Sequence, residues 1–148
     1  MSLKQRLNED IKTAMRAGDK ARLTTLRMAS AAIKQREVDE RIELDDSAVL
    51  AVVEKMIKQR RDAATQYEQG NRPELAAAEH AEIDILKDYL PEPLSDADLD
   101  ALITAAMAES GATSVADMGK VMAKLKPAVQ GRADMSQVSA RVRALLGA

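Results

Sequence analysis

Leu90-Pro91-Glu92-Pro93-Leu94-Ser95-Asp96-Ala97-Asp98-Leu99, running on into Asp100-Ala101-Leu102-Ile103-Thr104-Ala105-Ala106-Met107, decides how this chain is organised. Pro91 and Pro93 remove two backbone donors and push their neighbours into extended geometry, so a helix arriving at Leu90 cannot run on. Immediately beyond, Ser95 and Asp98 have the spacing of a capping box, with Leu94 and Leu99 placed as a hydrophobic staple. Leu99, Leu102, Ile103, Ala106 and Met107 then recur at intervals of three and four, the period of one helix face. A boundary between two helical modules is therefore expected here, residues 1–92 before it and 93–148 after it.

Working outward, the same grammar repeats. Ser114 and Asp117 form a second box ahead of Met118, Val121, Met122 and Leu125, and Pro127 with Gly131 is expected to end that helix. Asp134 and Gln137 introduce a last helix with Val138, Val142, Leu145 and Leu146 on one face. Toward the N-terminus, Leu3, Leu7, Ile11 and Ala14 predict a helix over 2–17, stopped by Gly18-Asp19. Leu23, Leu26, Ala29 and Ile33 mark a second. The charged run Arg36–Asp46, anchored only by Val38, Ile42 and Leu44, is open between a short loop and a hairpin. Asp46 or Ser47 then caps a long helix through Val49, Val53, Met56, Ile57, Ala64 and Tyr67. Gly70-Asn71 ends it, and Pro73 opens a fourth, with Leu75, Ala78, Ile83, Leu86 and Leu90 apolar.

Composition agrees with an all-α fold: an N-terminal four-helix module followed by a smaller C-terminal three-helix module. The 148 residues include no Cys, Phe or Trp, and Tyr67 and Tyr89 are the only aromatics. The core must be aliphatic, and the chain is rich in good helix formers. With no cysteine, disulfides, thiolate metal sites and thiol nucleophiles are excluded. The opening Met1–Lys12 is polar, with no apolar run fit for a signal or a membrane span, so a cytoplasmic protein that keeps off membranes is expected.

The search for chemistry is mostly negative. His80, the single histidine, stands between Glu79 and Glu82, which are three apart on a helix and could share a metal with a fourth group elsewhere. A solvated helix face is the ordinary reading, and no HExxH or second histidine completes a site. Ser30, Ser114 and Ser136 lack a nucleophile elbow, and Gly119-Lys120 lacks the upstream glycine of a phosphate loop. No catalytic residue, metal ligand or cofactor is assigned.

Charge distribution is more informative. The net charge is −2, and residues 95–116 hold Asp96, Asp98, Asp100 and Glu109 with no Lys or Arg. From 117 onward Lys120, Lys124, Lys126, Arg132, Arg141 and Arg143 face only Asp117 and Asp134, a local excess of four positive charges. On a helical wheel Lys120 and Lys124 fall opposite the apolar face, with Lys126 on a flank, while Arg141 and Arg143 flank the last helix's stripe. Such groups can meet phosphates, which ask only for positive charge within reach; a solubilising face is the alternative. Missing aromatics disfavour base stacking, so a nucleic-acid reader of this kind would follow the shape and backbone of a folded RNA. Lys58, Arg60 and Arg61 form a second cluster, diluted by Glu54 and Asp62 into an expected salt-bridge lattice.

Lys58–Glu79, Leu86–Ser95 and Leu26–Ile33 resemble the GatB/YqeY family, and Asp117–Met122 with Gly131–Asp134 is similar to the tail of GatB, a subunit of tRNA-dependent amidotransferase. The resemblance spans nearly the whole chain. It implies the same four-helix and three-helix modules and a tail that helps recognise tRNA, pointing to Gly119, Lys120, Lys124, Gly131 and Arg132 as RNA-facing. With Lys126, Arg141 and Arg143 added from the charge pattern, these are the candidate RNA-binding residues. The catalytic cradle of GatB is too large for this chain, and the glutaminase serine–lysine machinery is absent. A carbon–nitrogen ligase label with glutamine as amide donor would be inherited from the family name. The resemblance thus implies a tRNA-associated accessory protein. The alternatives are a protein-interaction adaptor or an auxiliary component of the amidotransferase.

Overall fold

A computed structural model describes residues 1–147 and shows, among them, seven α-helices and no strand. They form two compact units, Met1–Leu90 and a second beginning at Pro91.

The first unit holds α1 (Leu3–Ala17), α2 (Lys20–Glu40), α3 (Asp46–Gln69) and α4 (Pro73–Lys87). Local sequence sets most of the helix ends. Ser2 caps α1 through a reciprocal box with Gln5, Gly18 closes it in the left-handed conformation at φ 68°, and the Asp19 carboxylate accepts from the Arg22 N–H. The buried side chains Leu7, Ala14, Leu26, Ile33, Val49, Val53, Ile57, Ile83 and Leu86 belong to one core.

In this unit one open choice is resolved and two expectations change. The charged run 36–46 contains no hairpin: α2 continues to Glu40 and the connection is only 41–45. Two tertiary contacts hold that short loop: Glu37 accepts from the Leu44 N–H at 2.8 Å and from Lys4 Nζ at 2.6 Å. The cap of α3 is Asp45, accepting from the Ala48 N–H at 2.9 Å, because Asp46 is turned away to the Leu3 N–H. On α4 it is Ala76 that is buried, while Ala78 is exposed, a choice that alanine spacing cannot reveal. The α3–α4 turn falls at Gly70-Asn71 as expected, with Asn71 the left-handed residue at φ 57° and Gly70 at an ordinary φ of −84°.

Leu86–Leu90 is fastened by side chains as well as by its own backbone. The buried Tyr89 donates its hydroxyl to Asp10, and the Arg6 guanidinium lies 4.6 Å above its ring. Arg6 also donates to the Asp88 carbonyl at 2.8 Å, and Arg22 pairs with the Asp88 carboxylate at 3.4 Å. Burial first, and the Asp10 bond second, push the Tyr89 phenol far above its ordinary range. Arg60, 8% exposed, ties α3 to α4 by donating to Glu82 at 2.8 Å and to its own helix at the Met56 carbonyl.

Candidate nucleic-acid interface

The second unit contains α5 (Asp96–Ser110), a 3₁₀ turn (Val115–Asp117), α6 (Met118–Val129) and α7 (Met135–Leu145). Val121, Leu125 and Val129 repeat every four residues on α6, and Val138, Val142 and Leu146 repeat likewise at α7. With Leu99, Ile103 and Ala106 of α5 they make one buried aliphatic core. Because that core takes one face of α6, the periodicity turns Gly119, Lys120, Ala123 and Lys124 outward, all of them exposed.

The capping expected before α6 does not form as written. Ser114 makes no side-chain cap; the Asp117 carboxylate instead accepts from the Thr113 N–H at 3.0 Å, and the Asp117 N–H donates to the Ser114 carbonyl at 2.9 Å to close the 3₁₀ turn. The Thr113 bond, followed by one from the Ser114 backbone and the charge of Lys120, holds the Asp117 carboxyl below its usual range against the opposing effect of burial. Pro127 lies inside the last turn of α6 rather than ending it, since the helix reaches Val129. Leu145 is 48% exposed and Leu146 takes the core position.

The structure separates the eight candidate residues into two groups. Gly131, Arg132 and Arg141 are committed to the unit itself. Gly131 is buried at φ 74°, where it reverses the chain between α6 and α7. Arg132 donates from Nε to the Glu92 carbonyl at 2.9 Å, and its own carbonyl accepts from the Leu94 N–H at 2.9 Å, pinning the proline segment to the unit. Arg141 grips Asp100 with two parallel bonds, Nε to Oδ1 at 2.6 Å and Nη2 to Oδ2. The pair holds the Asp100 carboxyl below its ordinary value and Arg141 above its own, the hydrogen bond being the larger cause for each. With Nε and Nη2 on one carboxylate and the charge paired, this guanidinium keeps only Nη1 and the outer Nη2 hydrogen for another acceptor.

Gly119, Lys120, Lys124, Lys126 and Arg143 remain on the exposed surface. Lys120 is 3.8 Å from Asp117 with 70% of its side chain exposed, a loose surface pair. Among the described residues Lys124, Lys126 and Arg143 have no carboxylate within 4.0 Å. Lys120 and Lys124 stand one helical turn apart, about 6 Å. Gly119 lies between them and the start of α6, and a Cβ built there would meet nothing within 4 Å. The fold itself therefore has no packing need for a glycine at 119.

The other sequence candidates are absorbed by ordinary contacts. His80 faces Glu68 at 3.0 Å across the α3–α4 turn, and Glu82 is engaged by Arg60. Lys58 pairs with Asp62 at 3.1 Å, one turn along the same helix. Among the described residues no three His, Cys, Asp or Glu side chains converge as a metal site, and no helix is long and apolar enough to cross a membrane.

These features define a small all-helical protein that displays a lysine-bearing helix. The chain belongs to the family of YqeY-like proteins, whose model matches residues 4–146. Its curated relatives include the proteins named "Altered inheritance of mitochondria protein 41, mitochondrial". The one from Lachancea thermotolerans is 37% identical over 70% of this chain and 57% of its own length. The one from Pyrenophora tritici-repentis is 30% identical over 97% of this chain and 80% of the relative. In Vanderwaltozyma polyspora the identity is 34% over 57% of this chain and 46% of the relative. The chain thus spans from about half to four fifths of the curated relatives it matches. Their names overturn the cytoplasmic placement expected from the polar opening residues. A polar helical sequence suits the interior of a mitochondrion as well as the cytosol, so composition could not have separated the two.

Proposed function

We propose that the chain is a tRNA-associated accessory protein that performs no chemistry of its own. It is built from an N-terminal four-helix module and a C-terminal three-helix module, and it meets the RNA backbone through the outer face of α6. The observation that supports the reading is the exposed pair Lys120 and Lys124, with Lys126 on the other flank of α6, next to a glycine that the fold does not require. Phosphates need positive charge within reach and no fixed geometry, which flexible lysines supply. Among the described residues Arg143 likewise has no carboxylate within 4.0 Å, whereas Arg141 is paired with Asp100 and Arg132 spends its Nε on the Glu92 carbonyl. The choice of tRNA over other RNAs comes from the similarity of residues 117–122 and 131–134 to the GatB tail.

The test is a titration of purified tRNA at two or more salt concentrations with the wild-type chain and with Lys120→Ala/Lys124→Ala. Losing two phosphate contacts lowers the slope of log K against log salt by about 1.4–1.8. An unchanged affinity and slope in the double variant removes the physical basis of the proposal.

A further inference from the structure

α2 presents a second cationic surface, in the other unit. Lys20, Arg27 and Lys34 follow one another at intervals of seven residues, and Arg41, the residue capping the helix, comes seven later. Seven residues make two helical turns, so Lys20, Arg27 and Lys34 leave α2 at nearly one azimuth, drifting only about 20° per step and rising about 10.5 Å each time, while Arg41 follows at the left-handed cap. The buried residues Thr25, Leu26, Ala29 and Ile33 occupy the opposite face. The intervening outer positions Thr24, Ala31 and Val38 are uncharged and exposed.

Every acid carried by α2 is engaged elsewhere. Glu37 is held by Lys4 and the Leu44 N–H, with Lys34 only a minor influence on its charge. Asp39 accepts from Gln35 at 2.8 Å, and Glu40 pairs with Arg36. Asp19, just ahead of the helix, caps it. Among the described residues none of Lys20, Arg27, Lys34 and Arg41 has a carboxylate within 4.0 Å. Three unneutralised cations therefore run for about 21 Å along α2, with Arg41 following at its C-terminal cap.

We infer that this row is a docking surface for the phosphate backbone of double-helical RNA, distinct from the lysines of α6. Cations about 10 Å apart cannot converge on one small anion, but they match a linear polyanion whose phosphates recur along their whole length. A membrane surface fits less well. The apolar side of α2 is spent on the core, so along the row itself Val38 is the large exposed apolar side chain, Met28 lying about 100° round the helix, and the row is one residue wide where a bilayer is a plane. With no aromatic on the row there is nothing for an unpaired base to stack on, which selects a paired backbone.

The test compares three full-length proteins: wild type, Lys20→Gln/Arg27→Gln/Lys34→Gln and Lys120→Ala/Lys124→Ala. Each is titrated with a 20-base-pair RNA duplex and with purified tRNA, both over a salt series, and with vesicles of mixed anionic and neutral phospholipid. Far-UV dichroism confirms equal helix content, as the substituted residues are all exposed. The expected result is that the α2 triple variant loses about 2–3 from the salt slope on the duplex while the α6 double variant keeps most of it. A triple variant that binds the duplex with wild-type affinity and slope overturns the inference. So does a triple variant whose only loss is vesicle binding. If the α6 variant alone abolishes tRNA binding, this inference falls and the proposed function stands; the reverse pattern rejects the α6 reading and supports the α2 surface.

Discussion

Gly119 and Gly131 entered as equivalent candidates, and the structure gives them opposite roles that a pair of substitutions can separate. Gly119 sits in the first turn of α6 at an ordinary helical conformation, and a methyl there meets nothing within 4 Å. Gly119→Ala is therefore expected to stabilise the second unit by about 0.4–1 kcal/mol, chiefly by narrowing the unfolded chain. Gly131 is buried at φ 74°, where a Cβ crowds the following carbonyl, so Gly131→Ala costs about 1–2 kcal/mol before any packing penalty. In a unit this small one kcal/mol moves the melting point by about 4–8 °C, so the two variants shift it in opposite directions. The assay is thermal melting with amide hydrogen exchange on α6, which assigns the change to this unit. Shifts of the same sign would refute the reasoning. The companion titration bears on function: a more stable Gly119→Ala protein that binds tRNA several-fold more weakly marks a position the RNA backbone approaches. Unaltered binding places the contact elsewhere.

Tyr89→Phe leaves the Asp10 carboxylate without its donor and should cost about 1.5–3 kcal/mol in urea unfolding; a loss under about 0.5 kcal/mol would show the bond to be idle. Because the Tyr89 phenol is raised in the folded state, its contribution is fully present below the free tyrosine value near 10 and is lost as pH climbs above it. The phenylalanine variant should flatten that alkaline decline. At the acid end Asp100, Asp117 and Glu37 are lowered, so their contributions are present above about pH 4 and fade as pH falls below it. Asp100→Asn should soften the acid unfolding of the second unit, measured by hydrogen exchange on α7, and an unchanged profile would show that the Arg141 pair contributes nothing. Arg60→Met keeps the buried methylenes but drops the bonds to Glu82 and the Met56 carbonyl, for an expected loss of about 1–3 kcal/mol in denaturant melts; a variant as stable as wild type would reject Arg60 as a tie between α3 and α4.

Much of the helix grammar is legible in the sequence because it is local. Ser95 reaches Asp98, Asp19 reaches Arg22 and Gly18 accepts a left-handed turn, each within a few residues and without help from the rest of the chain. The aliphatic repeats at Val121, Leu125 and Val129 likewise announce their face through helical period alone. The row Lys20, Arg27 and Lys34 is legible in the same way, through its sevenfold spacing.

What sequence left undecided depends on partners far along the chain. Arg141 looks like its free neighbours until the fold brings the Asp100 carboxylate, 41 residues away, against it, and Arg132 until its Nε is taken by the backbone carbonyl of Glu92, 40 residues away. The choice of Asp45 over Asp46 as cap follows from the second carboxylate being drawn to Leu3, 43 residues off. The sequence by itself determined an all-helical chain and its cationic tail, because hydrophobic period, capping and charge are properties of neighbouring residues. Only the tertiary structure decided which of those cations remain free, because neutralisation requires an acid brought within about 4 Å, and that distance is set by packing.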